Sequence, residues 1–478
     1  MMRRAKIVAT IGPASDSYET IQQLIQTGMN VARLNFSHGD HDSHAKTITR
    51  IRMASKELGK PVAIMQDLQG LKIRTGELEN QEPVELTTGQ RFVITTEPIK
   101  GNRERVSTSY GFLPRDVKSG NRILLSDGLI ELRVMSTTDT EVQCEVISGG
   151  KLAETQGINL PQVRLSASSL TENDLKDLAF GMEHRVDYVA LSYIQSAEDI
   201  LRLRKEIAGR GHDTPIIAKL ETPKAIDSLG SIMEACDAVM VARGDLGVEL
   251  PPEKVPVIQK QVIARANQMG KAVITATQML ESMVSNPRPT RAEASDVANA
   301  VFDGTDAVML SSETTKGRYP VASVAMMAKI IDEAESMGSR TRAGRLEKAE
   351  NLSFPEAVCN AAFHASKSIN ARAIVVFTQT GSTARLISKF RPSADIFGVT
   401  PHAHVMNRMA LYWGVCPLQM SEITNVEQLI EKLENLLLKL KLVTAGDKLI
   451  ILTGAPIVQK GSTTLMKLHE VKGLEPGP

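Results

Sequence analysis

The chain has 478 residues with Lys+Arg 56 against Asp+Glu 55, and a formal net charge of +1 provides no global field for nucleic acid or an anionic membrane. Its 42% hydrophobic and 23% charged residues are ordinary for globular proteins and exclude a wholly disordered or collagen-like chain. Four scattered cysteines without a CxxC pair predict reduced thiols, and no apolar run approaches the ~20 residues of a membrane span. We therefore expect a cytoplasmic protein without a signal peptide.

Short apolar segments alternate with amphipathic helical segments through the first and largest part of the chain. They are rich in Val, Ile, Ala and Leu without polar alternation, which is typical of parallel strands buried on both faces. Eight such units predict a (β/α)8 barrel, in which polar residues at the carboxyl ends of the strands gather at one mouth. The predicted strands are Ile7–Ile11, Val31–Asn35, Val62–Leu68, Tyr188–Ile194, Ile216–Glu221, Ala238–Gly244, Ala272–Thr277 and Ala307–Ser311.

Helix signals lie between these strands. The segment Tyr18–Ile25 places its apolar residues on one helical face, and Gly28 follows as a stop. Thr290 and Glu293 form a capping-box pattern, which opens a helix that ends before Gly304.

The third and fourth predicted strands are separated by about ninety residues of different character. Glu131–Val134 and Glu141–Val146 alternate polar with apolar residues, and Asp127–Gly128 is typical of a hairpin turn. We expect a small inserted β-barrel, which is well placed to act as a lid on the barrel mouth. The predicted domains are a catalytic barrel at 1–68 and 165–338, the inserted lid at 69–164 and a C-terminal α/β sandwich domain at 339–478.

The C-terminal part begins with a charged segment, Ser339–Glu350, which indicates a linker. A capping box at Ser353–Glu356 and strands at Ile374–Phe377 and Leu449–Thr453 then predict a small α/β domain. The turn after the first of these strands brings hydroxyls and a glycine to a helix start, which suits a phosphate, although a hydroxyl-rich helix cap explains it equally well. The residues of this turn are Thr378, Thr380, Gly381, Ser382 and Thr383.

Charged side chains follow the predicted barrel strands. Buried unpaired charges cost several kcal/mol each, so we expect these groups to pair and to hold an anion through a metal. Glu221 and Asp245 each end a buried strand, and such hard oxygen ligands suit Mg²⁺ or Mn²⁺. Lys219 lies two residues before Glu221 and on the same side of the strand, where a cation would neutralise a phosphoryl group and a developing enolate. A structural ion pair between Lys219 and Glu221 explains that spacing equally well.

Further polar groups belong to the same predicted mouth. Gly244–Gly247 offers backbone N–H groups for a carboxylate, although a turn serving only chain reversal fits too. Thr277 is a hydroxyl at a strand end, where most threonines only pack. Arg33 and Arg74 carry the guanidinium forks that bind phosphate, but single arginines are commonly solvated. His38 titrates near neutrality, or serves only to hydrogen-bond its own turn.

Seven segments in order along the chain carry one recognisable pattern. They are Lys6–Pro13, Arg33–Gly39, Ile217–Glu221, Met240–Gly247, Thr275–Glu281, Arg288–Glu293 and Asp303–Ser311. Together they resemble the signatures of the pyruvate kinase family. The resemblance implies the three-domain build and transfer of a phosphoryl group from phosphoenolpyruvate to ADP, with protonation of the enolate to pyruvate. It also implies a homotetramer and a phosphorylated allosteric effector bound by the hydroxyl-rich turn.

Residue roles follow from the same resemblance. Lys219 would stabilise the transferring phosphoryl group and the enolate, and Glu221 and Asp245 would hold Mg²⁺ (or Mn²⁺). The amides of Gly244 and Asp245, with Thr277, would hold the substrate carboxylate. Thr277, or water chained to Ser311, would help deliver the proton.

The resemblance further implies how the nucleotide and a monovalent cation bind. Arg33 would contact the transferring phosphate. The residues toward the nucleotide would be Asn35, Ser37, His38 and Arg74. The family's monovalent-cation site would match Asn35, Ser37, Asp67 and the carbonyl of Leu68. In K⁺-dependent relatives the position of Lys72 is typically Glu, so we expect an enzyme that works without K⁺. A Lys72 that points to solvent, with K⁺ bound as usual, is the alternative.

Three positions depart from the family pattern. Leu71 stands where Pro is usual, Gln195 where Arg is usual, and Asn173 where an ADP-side Lys is common, which bears on nucleotide affinity rather than on the chemistry. Two other functions fit the fold: a phosphoenolpyruvate/pyruvate-barrel lyase that uses Mg²⁺ for carbon–carbon cleavage, and a non-catalytic effector sensor. Arg33, Arg74 and the inserted domain argue against the first, and the intact catalytic set argues against the second.

Overall fold

The computed structural model describes residues 3–337, 352–423, 425–454 and 463–473. The predicted linker at 339–350 lies outside these residues. The described strands are β1 (Lys6–Thr10), β2 (Val31–Asn35), β3 (Ala63–Leu68), β4 (Val84–Leu86), β5 (Arg91–Thr95), β6 (Arg105–Ser107), β7 (Arg122–Leu125), β8 (Ile130–Thr137), β9 (Glu141–Ser148), β10 (Gly150–Leu152), β11 (Ile158–Asn159), β12 (Tyr188–Leu191), β13 (Ile216–Leu220), β14 (Ala238–Ala242), β15 (Ala272–Ala276), β16 (Ala307–Leu310), β17 (Ala373–Phe377), β18 (Asp395–Thr400), β19 (Val415–Gln419), β20 (Lys448–Gly454) and β21 (Thr463–Glu470).

Helices connect most of these strands. The described α-helices are α1 (Tyr18–Thr27), α2 (His41–Glu57), α3 (Leu113–Asp116), α4 (Glu172–Glu183), α5 (Ala197–Gly209), α6 (Pro223–Asp227), α7 (Leu229–Ala235), α8 (Arg243–Glu249), α9 (Val255–Gln268), α10 (Arg291–Asp303), α11 (Ser312–Thr315), α12 (Pro320–Ser336), α13 (Phe354–Ser368), α14 (Ser382–Lys389), α15 (Ala403–Met409) and α16 (Val426–Lys439). Short 3₁₀ helices lie at Glu79–Gln81, Pro252–Lys254 and Glu281–Val284.

Eight parallel strands close into a barrel in the order β1-β16-β15-β14-β13-β12-β3-β2, which confirms the predicted (β/α)8 fold. Their apolar side chains alternate between two cores. One set, such as Ile7 and Val239, packs outward under the surrounding helices. The other set, such as Val8 and Met240, fills the barrel interior. Burial on both faces explains why these strands carry uninterrupted apolar sequences.

The predicted strands run too far at several carboxyl ends. The strand predicted to end at Ile194 ends at Leu191, because Tyr193 adopts a left-handed backbone conformation with φ 54°. The strand predicted through Gly244 ends at Ala242, since Arg243 already begins α8. At the other overrun ends the chain leaves the barrel one residue early, so the polar residues lie in loops above the strands.

The predicted helix caps are confirmed. Helix α1 ends at Thr27 and Gly28 caps it, with φ 134°. Thr290 and Glu293 form the capping box of α10, which stops at left-handed Gly304 (φ 93°). These caps satisfy amide and carbonyl groups that a helix end leaves without partners.

The segment between β3 and α4 is rich in β-structure, as its sequence predicts. Its six-stranded sheet has the order β11-β7-β8-β9-β5-β6, and β10 pairs with β4. Alternate residues of β8 and β9, such as Leu132 and Val142, are buried in a separate core. Asp127 and Gly128 form the turn between β7 and β8 with positive φ. Its apolar core, distinct from those of the barrel, is consistent with a small domain inserted in a barrel loop.

The C-terminal part is an α/β sandwich around a five-stranded sheet of order β19-β18-β17-β20-β21, in which only β21 is antiparallel among the described strands. Residues on one face of β17, such as Ile374, pack with α13, α14 and α15, and those on the other face, such as Val375, pack with α16. The first of these cores continues into the barrel interior. This arrangement confirms the predicted third α/β unit.

A buried ion cluster joins the barrel to the C-terminal part. Lys389 on α14 pairs with Asp306, which precedes β16, and Arg391 Nη2 lies 3.2 Å from the same carboxylate. Both side chains of the Lys389–Asp306 pair are fully buried. Burial lowers the pKa of Lys389 to about 7, although Asp306 opposes the shift. These three groups therefore form a buried charge cluster where the two parts meet.

Candidate active site

A cleft of about 740 Å³ opens at the carboxyl ends of the barrel strands. The predicted site residues that line it are Arg33, Asn35, Ser37, His38, Lys72, Lys219, Glu221, Asp245, Thr277 and Ser311. They come from strand ends and loops scattered between β2 and α11, and barrel closure brings them to one place. The active-site mouth of a (β/α)8 barrel is where these chemical groups are expected.

Lys219 is at the centre of a buried charge network. Its Nζ donates to Ser192 Oγ at 2.6 Å and lies 2.8 Å from Glu221 Oε1 and 3.3 Å from Asp67 Oδ1. Burial alone would lower the pKa of Lys219, but Asp67 and Glu221 outweigh it and raise the pKa to about 12. The ion pair anticipated from the Lys219–Glu221 spacing therefore exists, and Asp67 is a second partner. The ammonium is charged and held in place at neutral pH.

Glu221 and Asp245 supply two carboxylates of different character. Glu221 Oε2 accepts from the Tyr193 amide at 2.7 Å, and burial raises the pKa of Glu221 to about 7, with a smaller contribution from the charge of Asp245. The side chain of Asp245 makes no hydrogen bond or ion pair with any residue in the described ranges. No group of three or more His, Cys, Asp or Glu residues in those ranges forms a metal site. Two carboxylates fit Mg²⁺, which keeps waters and substrate oxygens as its other ligands.

Asp67 does not line the cleft, although it was predicted as a ligand of a monovalent cation. It is buried, and its Oδ2 accepts from Arg33 Nε at 2.6 Å while Oδ1 faces Lys219. These two cations lower the pKa of Asp67 although burial raises it. The carbonyl of Leu68 accepts from Ser192 Oγ at 2.8 Å. The amide of Ser37 also donates to Asn35 Oδ1 at 3.2 Å. Three of the four predicted ligands thus already have partners within the protein.

Thr277 and Gly244 are joined across the loops that follow β14 and β15. The amide of Gly244 donates to Thr277 Oγ1 at 2.7 Å, so this amide is engaged by Thr277 rather than left open for a carboxylate. Thr277 Oγ1 in turn donates to the carbonyl of Ala276 at 2.6 Å. Ser311 Oγ is buried and has no hydrogen-bond partner in the described structure. A hydroxyl without a partner on the cleft wall suits a bound water or substrate oxygen.

Cations surround His38. Burial lowers the pKa of His38, and the charges of Lys72, Arg74, Arg33 and Lys316 lower it further. Arg74 was expected at the same mouth, but it does not line the cleft. Its Nη1 instead donates to the carbonyl of Thr155 at 2.9 Å. The side of the cleft near His38 is therefore strongly positive, as phosphate groups require.

Several cleft residues escaped the sequence analysis, among them Thr10, Ser192, Tyr193 and Lys316. Thr10 Oγ1 accepts from Arg33 Nη1 at 3.0 Å, and Ser192 bonds to Lys219. Thr10 ends β1, and Ser192 directly follows β12. The rule that polar residues at the carboxyl ends of barrel strands gather at the mouth would have found both. It would have missed Lys316, which lies one residue beyond α11 and not at a strand end.

The three departures from the family pattern differ in position. Leu71 packs against the core of the inserted segment and, with Gln195, lines a cavity of about 420 Å³ beside the cleft. Asn173 is exposed in the first turn of α4 and does not line the cleft. In an adjoining cavity, which Leu71 and Gln195 also line, Asn159 donates to Glu249 Oε1 at 3.3 Å and joins the inserted segment to α8. Leu71 and Gln195 thus lie where the inserted segment meets the barrel.

The hydroxyl-rich turn of the C-terminal part is well ordered internally. Gly381, with φ 81°, precedes α14, and its amide donates to Thr378 Oγ1 at 2.9 Å. Thr380 and Ser382 hydroxyls lie 3.0 Å apart, and the buried Thr383 hydroxyl bonds to that of Thr463. A residue other than glycine at 381 would be strained, because a side chain there would also approach Met409.

The positive cleft, the central ammonium and the two carboxylates at the mouth of a (β/α)8 barrel are the features expected of a metal-dependent phosphotransferase. A model of the pyruvate kinase barrel domain matches residues 2–324, and one of the pyruvate kinase alpha/beta domain matches residues 356–469. The chain belongs to the pyruvate kinase family. It therefore transfers the phosphoryl group of phosphoenolpyruvate to ADP, a reaction of glycolysis, and requires a divalent metal.

The sequence similarity to known proteins extends over nearly the whole chain. Pyruvate kinase 2 of Synechocystis sp. is 46% identical over 99% of this chain and 80% of its own length. Pyruvate kinase of Staphylococcus saprophyticus is 45% identical over 98% of this chain and 81% of its own. The crystal structure of a pyruvate kinase from Cryptosporidium parvum is 38% identical, with a TM-score of 0.93 over 98% of this chain and 96% of that one. In the described part of the chain, no helix combines the length and apolar character needed to span a membrane.

Proposed function

We propose that the cleft centred on Lys219 is where this pyruvate kinase performs both phosphoryl transfer and protonation of the enolate. The observation that carries the proposal is a single buried ammonium within hydrogen-bond reach of Glu221 and Asp67 at the barrel mouth. Phosphoryl transfer passes through a loose transition state, so positioning and fixed positive charge contribute most of the catalysis. Lys219 neutralises the equatorial oxygens of the transferring group and then the enolate oxygen.

Glu221 and Asp245 hold the divalent metal, for which we propose Mg²⁺ or Mn²⁺. When bound, the metal neutralises charge on the phosphoryl and enolate oxygens. Support comes from the two carboxylates themselves, since Asp245 has no protein partner in the described residues and its charge raises the pKa of Glu221. A cation held by both carboxylates would offset this repulsion.

The remaining groups bind and orient the substrates. Arg33 is fixed by Asp67 and Thr10, and its other N–H groups contact the transferring phosphate. The proposed nucleotide-side residues are Asn35, Ser37 and His38 in the cleft, and Arg74 outside its lining, whose charge acts on His38. The amide of Asp245 and the hydroxyl of Thr277 hold the substrate carboxylate, together with the amide of Gly244 once substrate displaces its bond to Thr277.

The proton for the enolate comes from Thr277 or from water chained to Ser311. The hydroxyl of Ser311 is buried without a partner, so a water that bridges it to the substrate satisfies both groups. A side-chain hydroxyl is a weak acid, and a water chain lets the proton arrive from solvent.

The reaction is tested with purified protein, phosphoenolpyruvate and ADP, by following ATP and pyruvate together. We expect equal amounts of the two products with Mg²⁺ or Mn²⁺ and none after chelation of the metal. Glu221→Gln and Asp245→Asn should each raise the Mg²⁺ concentration that gives half-maximal rate, while Asp213→Asn, on the exposed loop before β13, serves as the control. Unchanged metal dependence in both cleft variants would contradict the assignment.

We also propose that the enzyme works without K⁺. Both oxygens of Asp67 already face cations, the carbonyl of Leu68 already accepts a hydrogen bond, and Lys72 lines the cleft. Two unit charges ~4 Å apart exchange about 4 kcal/mol at an effective dielectric of ~20, so a tethered ammonium is able to replace a bound cation.

Turnover in K⁺ is compared with turnover in a bulky inert cation at equal ionic strength. We expect equal rates for the unsubstituted protein and strong K⁺ activation after Lys72→Glu. Lys151→Glu changes the charge of an exposed residue on β10 and should leave turnover indifferent to K⁺. Strong activation of the unsubstituted protein by K⁺ would refute the proposal.

We further propose that the protein is a cytoplasmic homotetramer and that its turn at Thr378–Thr383 binds a phosphorylated effector. The four cysteines are free thiols, as expected in a reducing compartment. Family membership supports the tetramer, and the amides and hydroxyls at the start of α14 support a phosphate. Sugar phosphates and nucleotides are titrated at sub-saturating phosphoenolpyruvate, with Ser382→Glu as the variant that should abolish any response. No response of the unsubstituted protein to any of them would exclude the effector site.

A further inference from the structure

Two consecutive residues beside the proposed carboxylate site have left-handed backbone conformations. Thr277 has φ 70° and Gln278 has φ 52°. Neither is a glycine, and Thr277 is β-branched, so its Cβ substituents clash with the backbone in this region. Such a conformation persists only where the surrounding structure holds it.

Arg243, the first residue of α8, donates hydrogen bonds to the backbone carbonyls of Thr277 and Gln278. Its Nη2 donates to the carbonyl of Thr277 at 2.7 Å and to that of Gln278 at 3.2 Å. Its Nη1 is fixed by Asp296 at 2.7 Å, so the guanidinium is held between α10 and the turn. Only 10% of the Arg243 side chain is exposed.

The next residue along the chain holds Thr277 from its other side. The amide of Gly244 donates to Thr277 Oγ1, and a Cβ at position 244 would lie 3.3 Å from that oxygen. Before substrate binds, Arg243 fixes the backbone and Gly244 fixes the hydroxyl, while Asp245 contributes a carboxylate to the cleft. One short stretch of α8 therefore sets the position of Thr277 relative to Asp245.

We propose that Arg243 is a positioning residue: its two hydrogen bonds to the Thr277–Gln278 backbone hold the strained turn that aims the Thr277 hydroxyl into the cleft. Without the guanidinium the two residues relax toward negative φ, and the hydroxyl leaves its place. Arg243 itself touches no substrate in this scheme. The inference rests on the role proposed above for Thr277 in binding the substrate carboxylate and in delivering the proton.

The first test is Arg243→Met, which keeps an apolar stem and removes the donors. We expect kcat to fall and KM for phosphoenolpyruvate to rise, each at least tenfold, with KM for ADP within twofold of the unsubstituted value. A residue that only stabilises the fold would change the two KM values together or neither. Arg243→Lys is the second variant, because one ammonium cannot bridge Asp296 and both carbonyls, and we expect a loss of the same kind.

Rescue by glycine tests the backbone argument directly. Gln278 is exposed, and glycine adopts positive φ without strain. Gln278→Gly should therefore raise kcat at least fivefold when it is added to the Arg243→Met protein. Gln278→Ala removes the same side chain but keeps the Cβ, and it should restore nothing. Equal rescue by both substitutions, or native kinetics of Arg243→Met, would overturn the inference.

Thr277→Val separates this inference from the function on which it rests. If Thr277→Val retains native kinetics, the proposed role of Thr277 is wrong. If Thr277→Val loses activity while Arg243→Met and Arg243→Lys do not, the role of Thr277 stands and the positioning role of Arg243 is refuted.

Discussion

Lys219→Met removes one charge from the centre of the cleft while keeping the length and apolar character of the side chain. The loss of one preorganised cation from a transition state costs on the order of 3–4 kcal/mol, so we expect kcat to fall about 10²–10³-fold. This estimate applies because Lys219 is buried and held by two carboxylates before substrate arrives. No reorganisation is then required during the reaction.

The fold should tolerate the change, for a reason visible in the charge network. At an effective dielectric of ~20, the gross attraction of Lys219 for Asp67 and for Glu221 is roughly 5–6 kcal/mol each. Asp67 keeps Arg33 after the substitution. Glu221 keeps only the amide of Tyr193 among these partners, but its pKa is already about 7 and rises further, so it takes up a proton instead of remaining a buried anion.

The assay follows pyruvate formation at saturating phosphoenolpyruvate, ADP and Mg²⁺, at pH 7 and again at pH 8.5. The higher pH favours the ionised form of Glu221 in the variant, so the comparison of the two pH values separates the missing ammonium from protonation of Glu221. Lys6→Met is the matched control, because Lys6 is another buried lysine of the barrel whose Nζ bonds to the carbonyl of Val415 away from the cleft. Native kcat for Lys219→Met at pH 8.5 would refute the reasoning, as would equal losses in both variants.

Three further predictions concern stability. Burial raises the pKa of Glu249 to about 7 from an ordinary 4.5, so the ionised carboxylate destabilises the folded state increasingly as the pH rises from 4.5 to 7. In metal-free buffer, Glu249→Gln should therefore raise Tm at pH 8 but not at pH 4.5, and a gain that is the same at both pH values would contradict this. Asp306→Asn leaves Lys389 and Arg391 without a carboxylate and should lower the free energy of unfolding by on the order of 3–5 kcal/mol. Tm should fall less at pH 9 than at pH 6, because Lys389 is deprotonated at the higher pH, and equal falls at both pH values would count against the ion cluster. Thr290→Ala removes the cap of α10 and should cost about 1 kcal/mol, measured as a lower Tm, whereas Thr290→Ser should have almost no effect; equal losses in both would show that the hydroxyl is not the cap.

Local pattern was enough to predict the elements and many of the residues that line the cleft. The apolar runs identified the eight barrel strands, and the capping residues placed the start of α10 at Thr290, because both signals depend on residues within one turn or one strand. The spacing of Lys219 and Glu221 predicted a shared face, which a separation of 2.8 Å confirms. The polar residues that follow the strands predicted the cleft, since all parallel strands of a barrel end at one mouth.

The partners of these residues were decided only by tertiary structure. Asp67 joins Lys219 and Arg33 because barrel closure brings β2, β3 and β13 together, and no local rule expresses that contact. Arg74 bonds to Thr155 rather than lining the cleft because of how the inserted segment folds back on itself. The left-handed turn at Thr277 exists because Arg243, from another strand end, supplies the hydrogen bonds that its own sequence lacks. Sequence periodicity reports which face of an element is buried, whereas the pairing of charges and the holding of strained backbone depend on residues that only the closed barrel makes neighbours.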